Sequence, residues 1–170
     1  MTESKQNRYG WLPGWQRKII LKHPILYLEA SPESLKDYEN SPDQLPDDYC
    51  NLRFGFECGT GWAQLIDEHS ATGTALVKAL RAFGFQDDAR VTAFIVKEKL
   101  GVLSWNDTNN LLPPFRSLWF GYVTSIRERS RHTCEKSGKF GELRKIGSRF
   151  QTLSPEEYDK ALKRSKDQRR

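Results

Sequence analysis

The hydrophobic positions of this chain change period several times, and each change marks an element. The clearest run lies between Trp62 and Phe83, where Leu65, Ile66, His69, Leu76, Val77, Leu80 and Phe83 recur at intervals near three and four. That spacing builds one apolar stripe and predicts an amphipathic helix. Gly73 interrupts the stripe, so a kink or break is expected there, and Gly84 can close the second half. The same period returns from Phe115 to about Arg131 at Leu118, Trp119, Tyr122, Val123 and Ile126, with Arg127, Arg129 and Arg131 at the end where a helix dipole favours cations. Between the two helices, Val91 to Val96 is dominated by β-branched and aromatic residues and reads as a buried strand. Lys97 to Lys99 then fit a charged turn, and the residues up to Trp105 a second strand.

The flanks are punctuated by proline and glycine. Residues 15–22, WQRKIILK, predict a short helix that Pro24 ends at His23. Ser31 and Pro32 resemble an N-cap and first helical position, with Leu35 and Tyr38 on one side, and Pro42 and Pro46 then force a loop. Cys50 to Cys58 alternates around Phe54 and Phe56 and predicts a strand. Asn106 to Pro114 reads as a loop. Glu142 to Ile146 and Phe150 to Leu153 fit a hairpin around Gly147, after which Ser154, Pro155 and Glu157 look like the opening of a final helix. No repeat of the length that builds solenoids is visible. The expected fold class is α+β, a small antiparallel sheet packed by two or three helices. One domain is expected over 15–158, between an arm at 1–14, with Trp11 as a docking anchor, and a basic end at 159–170.

Composition narrows the class. A chain of 170 residues with 37% hydrophobic and 29% charged side chains supports one real core and excludes collagen-like, mucin-like and membrane-spanning proteins. No apolar run approaches the roughly 20 residues a bilayer helix needs. The N-terminal MTESKQNRYGWLPGW lacks the apolar segment of a secretory signal, so a cytoplasmic protein is expected. Cys50, Cys58 and Cys134 form an odd, irregular set, which argues against a disulfide scaffold.

Charge is segregated. Residues 127–170 hold 14 Lys and Arg against 7 Asp and Glu, a net +7, while the first 126 residues carry −2. A block of that kind steers a polyanion or an acidic protein surface. The candidate basic surface comprises Arg127, Arg129, Arg131, Lys136, Lys139, Arg144, Lys145 and Arg149. A solvated, frayed helix accounts equally well for the terminal Lys160, Lys163, Arg164, Lys166, Arg169 and Arg170.

Three segments carry a resemblance: FGFECGTGWAQLID, VKEKLGVLSW and RSRHTCEKSGKFGELRKIGSRFQTLSPEE. In this order they resemble an uncharacterised family of phage and prophage proteins with GFECGDGW, VKEKFGGLRFY and CxxCG…TLCxxH motifs. The likeness spans about residues 50 to 157, with a looser match around His23 to Leu28. It implies a mobile-element origin and a zinc-ribbon-like C-terminal hairpin whose ligand frame here reads Cys134, Ser137, Ser154 and Glu157. Four sulfur or nitrogen ligands would normally close a tetrahedral zinc, and neutral serine hydroxyls cannot replace thiolates. The frame is therefore degenerate. No metal and no cofactor is expected, with Cys134 a small buried hydrophobe and Leu143, Ile146, Phe150 and Leu153 holding the hairpin by packing. A rebuilt site on His132 and Cys134 would need a distant third ligand.

The remaining chemistry is sparse. Gly59, Thr60, Gly61 and Trp62 form a strand-to-helix corner whose N–H groups could meet an anion, although a tight turn with Trp62 packed on Phe54 or Phe56 is the simpler reading. Cys58 and His69, eleven residues apart, make a poor nucleophile and base. Cys50 and Cys58 share at most a sheet face. Lys97 and Lys99 could present two cations with Trp105 as a stacking surface, or only a charged edge. Asp67 and Glu68 point about 100° apart on a helix and make no acid/base pair. No P-loop, dinucleotide fingerprint, HExxH helix or GxSxG elbow is present. The expectation is a non-catalytic, stoichiometric binding protein acting on a host protein, a defence or nucleic-acid-processing factor. The alternatives are direct nucleic-acid binding through the basic quarter and a small-ligand or nucleotide binder.

Overall fold

The computed structural model describes residues 12–27 and 55–167. The expected helix after Ser31, the loop at Pro42 and Pro46, Trp11, Cys50 and most of the strand before Cys58, and Arg169 and Arg170 lie outside those residues. Helix α1, Gly14–Lys22, ends at His23 because Pro24 cannot continue the ladder, and α2, Pro24–Tyr27, restarts at the proline. The pair buries Ile19, Ile20, Ile25, Leu26 and Tyr27. Gln16 reaches 40 residues along the chain, donating from Nε2 to the Phe56 carbonyl and accepting the Phe56 N–H at Oε1, both at 2.9 Å. This clamp sets where residues 55–58 run, beside the sheet.

After a 3-10 turn at Thr60–Trp62, helix α3 spans Ala63–Ala82 without a break. The expected division at Gly73 does not occur. A Cβ there would stand 2.8 Å from the Trp119 ring and 3.1 Å from Leu26, so Gly73 is a contact glycine over which two other elements close. Phe83, expected on the buried stripe, is 76% exposed just past the helix end.

Strand β1, Val91–Lys99, pairs antiparallel with β2, Val102–Asn109. The charged turn expected at Lys97 to Lys99 is strand. The reversal needs only Leu100 and Gly101, with φ of 54° and 81°, the two positive angles that a tight hairpin uses. Gly101 donates its N–H to Glu98 Oε1 at 2.5 Å, which holds the turn. The register shifts between Ala93 and Ile95. Of the strand expected over Cys50–Cys58, the described part makes a single parallel bridge, Glu57 to Lys97, on the outer side of β1.

Helix α4, Pro113–Ser130, opens on prolines and lies against β2 and α3. It buries Trp119, Ile126 and Ser130, whereas Leu118 and Tyr122, expected inside, are exposed. Strands β3, Glu142–Ile146, and β4, Arg149–Leu153, form the second hairpin, with Gly147 at φ 61° in its turn. Helix α5, Pro155–Asp167, follows with Ser154 Oγ accepting the Glu157 N–H at 3.4 Å, and it runs on through the boundary expected at 158/159. The fold is α+β, as expected: one two-stranded antiparallel sheet packed by helices, and a second two-stranded hairpin followed by a final helix. The core lies between α1 to α4 and the inner face of β1 and β2. No helix among the described residues is long and apolar enough to cross a membrane.

Candidate functional site

The degenerate metal frame and the glycine corner form one substructure. From Thr133 to Gly141 the chain folds into a knuckle: Cys134 N–H donates to the Lys139 carbonyl at 2.7 Å and Gly138 N–H to the Cys134 carbonyl at 2.9 Å. Its backbone is pressed onto the corner. Gly61 N–H donates to the Glu135 carbonyl and Gly59 N–H to Glu135 Oε1, each at 2.8 Å, and Trp62 Nε1 donates to the Thr133 carbonyl at 2.7 Å. A Cβ on Gly61 would sit 2.2 Å from the Cys134 carbonyl oxygen, and one on Gly59 would sit 2.3 Å from that of Glu135. The glycines are therefore needed for close backbone approach. The two N–H groups that an anion would use are spent on the knuckle, and Trp62 is fully buried.

Inside the knuckle, Cys134 is 0% exposed. Burial alone would raise its thiol. Hydrogen bonds from the Ser137 side chain and from the backbone N–H groups of Ser154, Ser137 and Lys136 outweigh that and hold it below its ordinary value. Three members of the frame thus still converge, on a sulfur caged by donors where a metal ion would need acceptors. The fourth, Glu157, turns away to Lys160 at 2.6 Å. Hydroxyls and amide donors around one thiol do not fit zinc, and among the described residues no three His, Cys, Asp or Glu side chains gather around one point. His132 stacks on Phe140 and adds no ligand. Packing is not what holds the hairpin, since Leu143 and Phe150 are exposed and, of the four expected residues, only Leu153 is fully buried. Glu135 N–H to the Thr152 carbonyl at 2.9 Å and Thr152 Oγ1 to the Gly101 carbonyl at 2.5 Å tie it to the rest.

Among the described residues, open hollows lie elsewhere, between β2 and α4. Hollows of about 550 and 370 Å³ share Ser104, Asn106, Arg127 and Arg131 as walls, and a third of about 330 Å³ adjoins the larger at Trp105, Asn106, Phe120 and Val123. Phe120, Thr124, Arg127 and Arg131 recur at helical intervals and form one stripe of α4 above the outer edge of β2. Phe120 is 70% exposed. Lys99 and Leu100 stand at one mouth. The stripe was missed in the sequence because it is offset from the core stripe, and only exposure distinguishes it.

The eight candidate basic residues divide by partner. Arg129 pairs with Glu68 at 2.6 Å, Arg131 with Glu128 at 3.1 Å and Lys139 with Glu156 at 3.1 Å. Arg144 pairs with Glu142 and lies over the Tyr158 ring, and Lys145 lies over Phe150. Arg127, Lys136 and Arg149 have no ion pair among the described residues. The structure brings only Arg127 and Arg131 of the eight into the groove, where Lys99 joins them.

Other candidate groups are held by the fold. Asp67 accepts from Lys22 at 2.6 Å and lies 2.8 Å from His23 Nε2, while Glu68 faces Arg129 and Gln64. His69, 4% exposed, is stacked on Trp119 and meets Trp105 edge-on, with ring centroids 4.6 and 4.5 Å away. Burial lowers its pKa to about 4, and its Nε2 has no hydrogen-bond partner among the described residues. Burial and the carboxylates of Glu135, Glu57 and Glu98 push Cys58 up to about 12, the opposite of an activated thiol. Trp105 is buried and cannot stack a base beside Lys97 and Lys99. Compared with protein-family models, curated proteins and solved structures, the chain gives no match.

Proposed function

We propose that this chain is a non-catalytic binding protein of the phage or prophage type, and that the β2–α4 groove is the surface it offers to a host protein. The observation that carries the reading is the groove itself: an exposed Phe120 and half-buried Val123 bordered by Arg127, Arg131 and Lys99, an apolar centre with a cationic rim. Aromatic anchors inside a charged rim are what protein interfaces use for affinity and orientation. A separate exposed aromatic pair, Phe83 and Phe85, meets Phe115 at the start of α4, with the Phe85 and Phe115 ring centroids 6.0 Å apart. Origin and target class, a host defence or nucleic-acid-processing factor, follow from the motif resemblance alone.

Direct nucleic-acid binding is the weaker reading, because Glu128 lies in the same groove and four of the eight basic residues are already neutralised by carboxylates. The test is affinity capture from host cells with and without nuclease, using wild type and Arg127→Glu/Arg131→Glu. The expected result is a host protein retained after nuclease and lost in the double variant. Capture that disappears with nuclease, with a steep salt dependence on duplex DNA, would replace the reading by nucleic-acid binding.

A further inference from the structure

The smaller hollow, of about 370 Å³, differs from the larger one in its charge. Val102, Ser104 and Asn106 alternate along β2 and share one face, while Leu103 and Trp105 between them are buried in the core. Directly opposite residues of an antiparallel pair project to the same side, so Lys99, across from Val102, and Lys97, across from Ser104, join that face. Arg127 and Arg131, four apart on α4, line the hollow with them. Glu98 alternates to the opposite face, where its carboxylate accepts Gly101 N–H, and among the described residues no Asp or Glu lines this hollow. Glu128 lines the larger hollow and not this one, and it takes Arg131 Nε at 3.1 Å. What stays unclaimed in the smaller hollow is Lys99 Nζ, the Arg127 guanidinium, Ser104 Oγ and the Asn106 amide, which have no hydrogen bond or ion pair among the described residues.

We infer that this hollow is a binding site for a phosphomonoester, a terminal phosphate held by a single ester bond. Such a group brings about −1.5 to −2 charges and three acceptor oxygens at neutral pH. Lys99 and Arg127 balance that charge, and the guanidinium presents a planar fork that takes two oxygens at once. Ser104 and Asn106 add neutral donors from the β2 face. A carboxylate fits less well, because one charge and two oxygens leave part of this donor set unmet. A phosphodiester also carries one charge, and a chain of them running along α4 meets Glu128. Leu100, 69% exposed at the mouth, and Val102 offer apolar contact to the carbon that bears the ester. Two sources present this same group, a phosphorylated Ser or Thr side chain of the partner protein and a free mononucleotide. Only the first rests on the binding reading above; the site itself does not.

The test titrates the purified full chain with phenyl phosphate and follows the amide shifts by two-dimensional NMR. Saturable binding is expected, with shifts concentrated from Lys99 to Asn106 and at Arg127. Dimethyl phosphate and acetate should bind more weakly by about tenfold or more, and so should phenyl phosphate to Lys99→Ala/Arg127→Ala. Ser104→Ala, which keeps every cation, should weaken phenyl phosphate while leaving core amide shifts in place. Lys163→Ala/Arg164→Ala removes exposed cations of α5 and should leave the affinity unchanged. Equal affinity for dimethyl phosphate, unsaturable shifts spread over α5, or full affinity in Lys99→Ala/Arg127→Ala overturns the site and leaves only nonspecific attraction to a basic surface. An end-capped phosphoserine peptide and adenosine 5′-monophosphate separate the two sources, since the true one should bind more tightly than phenyl phosphate. Phenyl phosphate binding without capture of a host protein removes the partner reading and leaves the site. Capture without phenyl phosphate binding overturns the site alone.

Discussion

The two hairpins have the same plan and opposite means of support. Both are antiparallel and closed by two-residue turns. The first, β1–β2, buries Val91, Ala93, Val96, Leu103 and Trp105 against the helices. The second, β3–β4, leaves Leu143 and Phe150 in solvent and is attached through Glu135, Thr152 and the donors around Cys134. Burial is non-directional and scales with apolar area, so the first hairpin depends on volume. The second depends on backbone groups meeting backbone groups, so it depends on the absence of a Cβ at Gly59 and Gly61. Inside the knuckle, the Ser137 side chain and the backbone N–H groups of Ser154, Ser137 and Lys136 cage a single sulfur, that of Cys134.

The difference can be broken on the buried side first. Trp119→Ala removes the ring that stacks on His69, closes over Gly73 and donates from Nε1 to Asp107 at 3.0 Å, and should cost about 3 to 5 kcal/mol by urea unfolding. Trp62→Ala should cost as much while acting on both halves, because Trp62 is core and also holds Thr133. Unchanged stability with lost partner capture would instead assign either ring to an interface.

Next in size is a pH effect confined to the same core. The unfolded chain protonates His69 near its ordinary value of 6.5, whereas the folded chain resists until about pH 4. The folded state therefore binds fewer protons in that window, and stability falls as pH falls through it, by up to about 3 kcal/mol. Asp107 works the other way: burial raises its pKa against the hydrogen bonds from Asn109 and Trp119, so its contribution is lost as pH rises above the ordinary carboxylate range. His69→Phe should flatten the slope between pH 6.5 and 4 in urea midpoints. A wild-type profile already flat there would mean that the ring is not held neutral.

The polar side of the comparison is sharpened by Gly61→Ala and Cys134→Ala. The first drives a Cβ into the knuckle backbone and the second leaves the N–H groups around the sulfur without their acceptor. Each should cost about 1 to 3 kcal/mol. Amide exchange should accelerate at Cys134, Gly138 and Gly141 in both variants, with β1–β2 amides unaffected. Elemental analysis of wild type should find no stoichiometric zinc, and one zinc per chain lost with Cys134 would restore the metal frame. The smallest effect belongs to the surface: Arg129→Ala removes an exposed pair with Glu68 and should change stability by no more than about 1 kcal/mol, less in high salt.

The elements were legible where one physical rule acts along the chain. Helix α3 and the β3–β4 hairpin follow from spacing and a turn glycine, and the opening of α5 from Ser154 and Pro155, because capping and periodicity are local. Of the four-residue frame that the motif resemblance implied, Cys134, Ser137 and Ser154 come together, while Glu157 turns to Lys160. What the sequence could not decide is which contact each small or polar residue serves. Gly73 reads as a helix breaker until Trp119 is brought across it. Gly59 and Gly61 read as a tight turn with an anion corner as the alternative, and only the fold shows that Glu135, more than 70 residues away, takes their N–H groups. The basic quarter reads as one surface, yet tertiary packing hands five of its eight candidate cations to neighbouring carboxylates or rings and sets Arg127 and Arg131 along the groove between β2 and α4. Local sequence determines conformation through steric and capping preferences of a few residues. Which side chain meets which is decided only when distant segments close on one another.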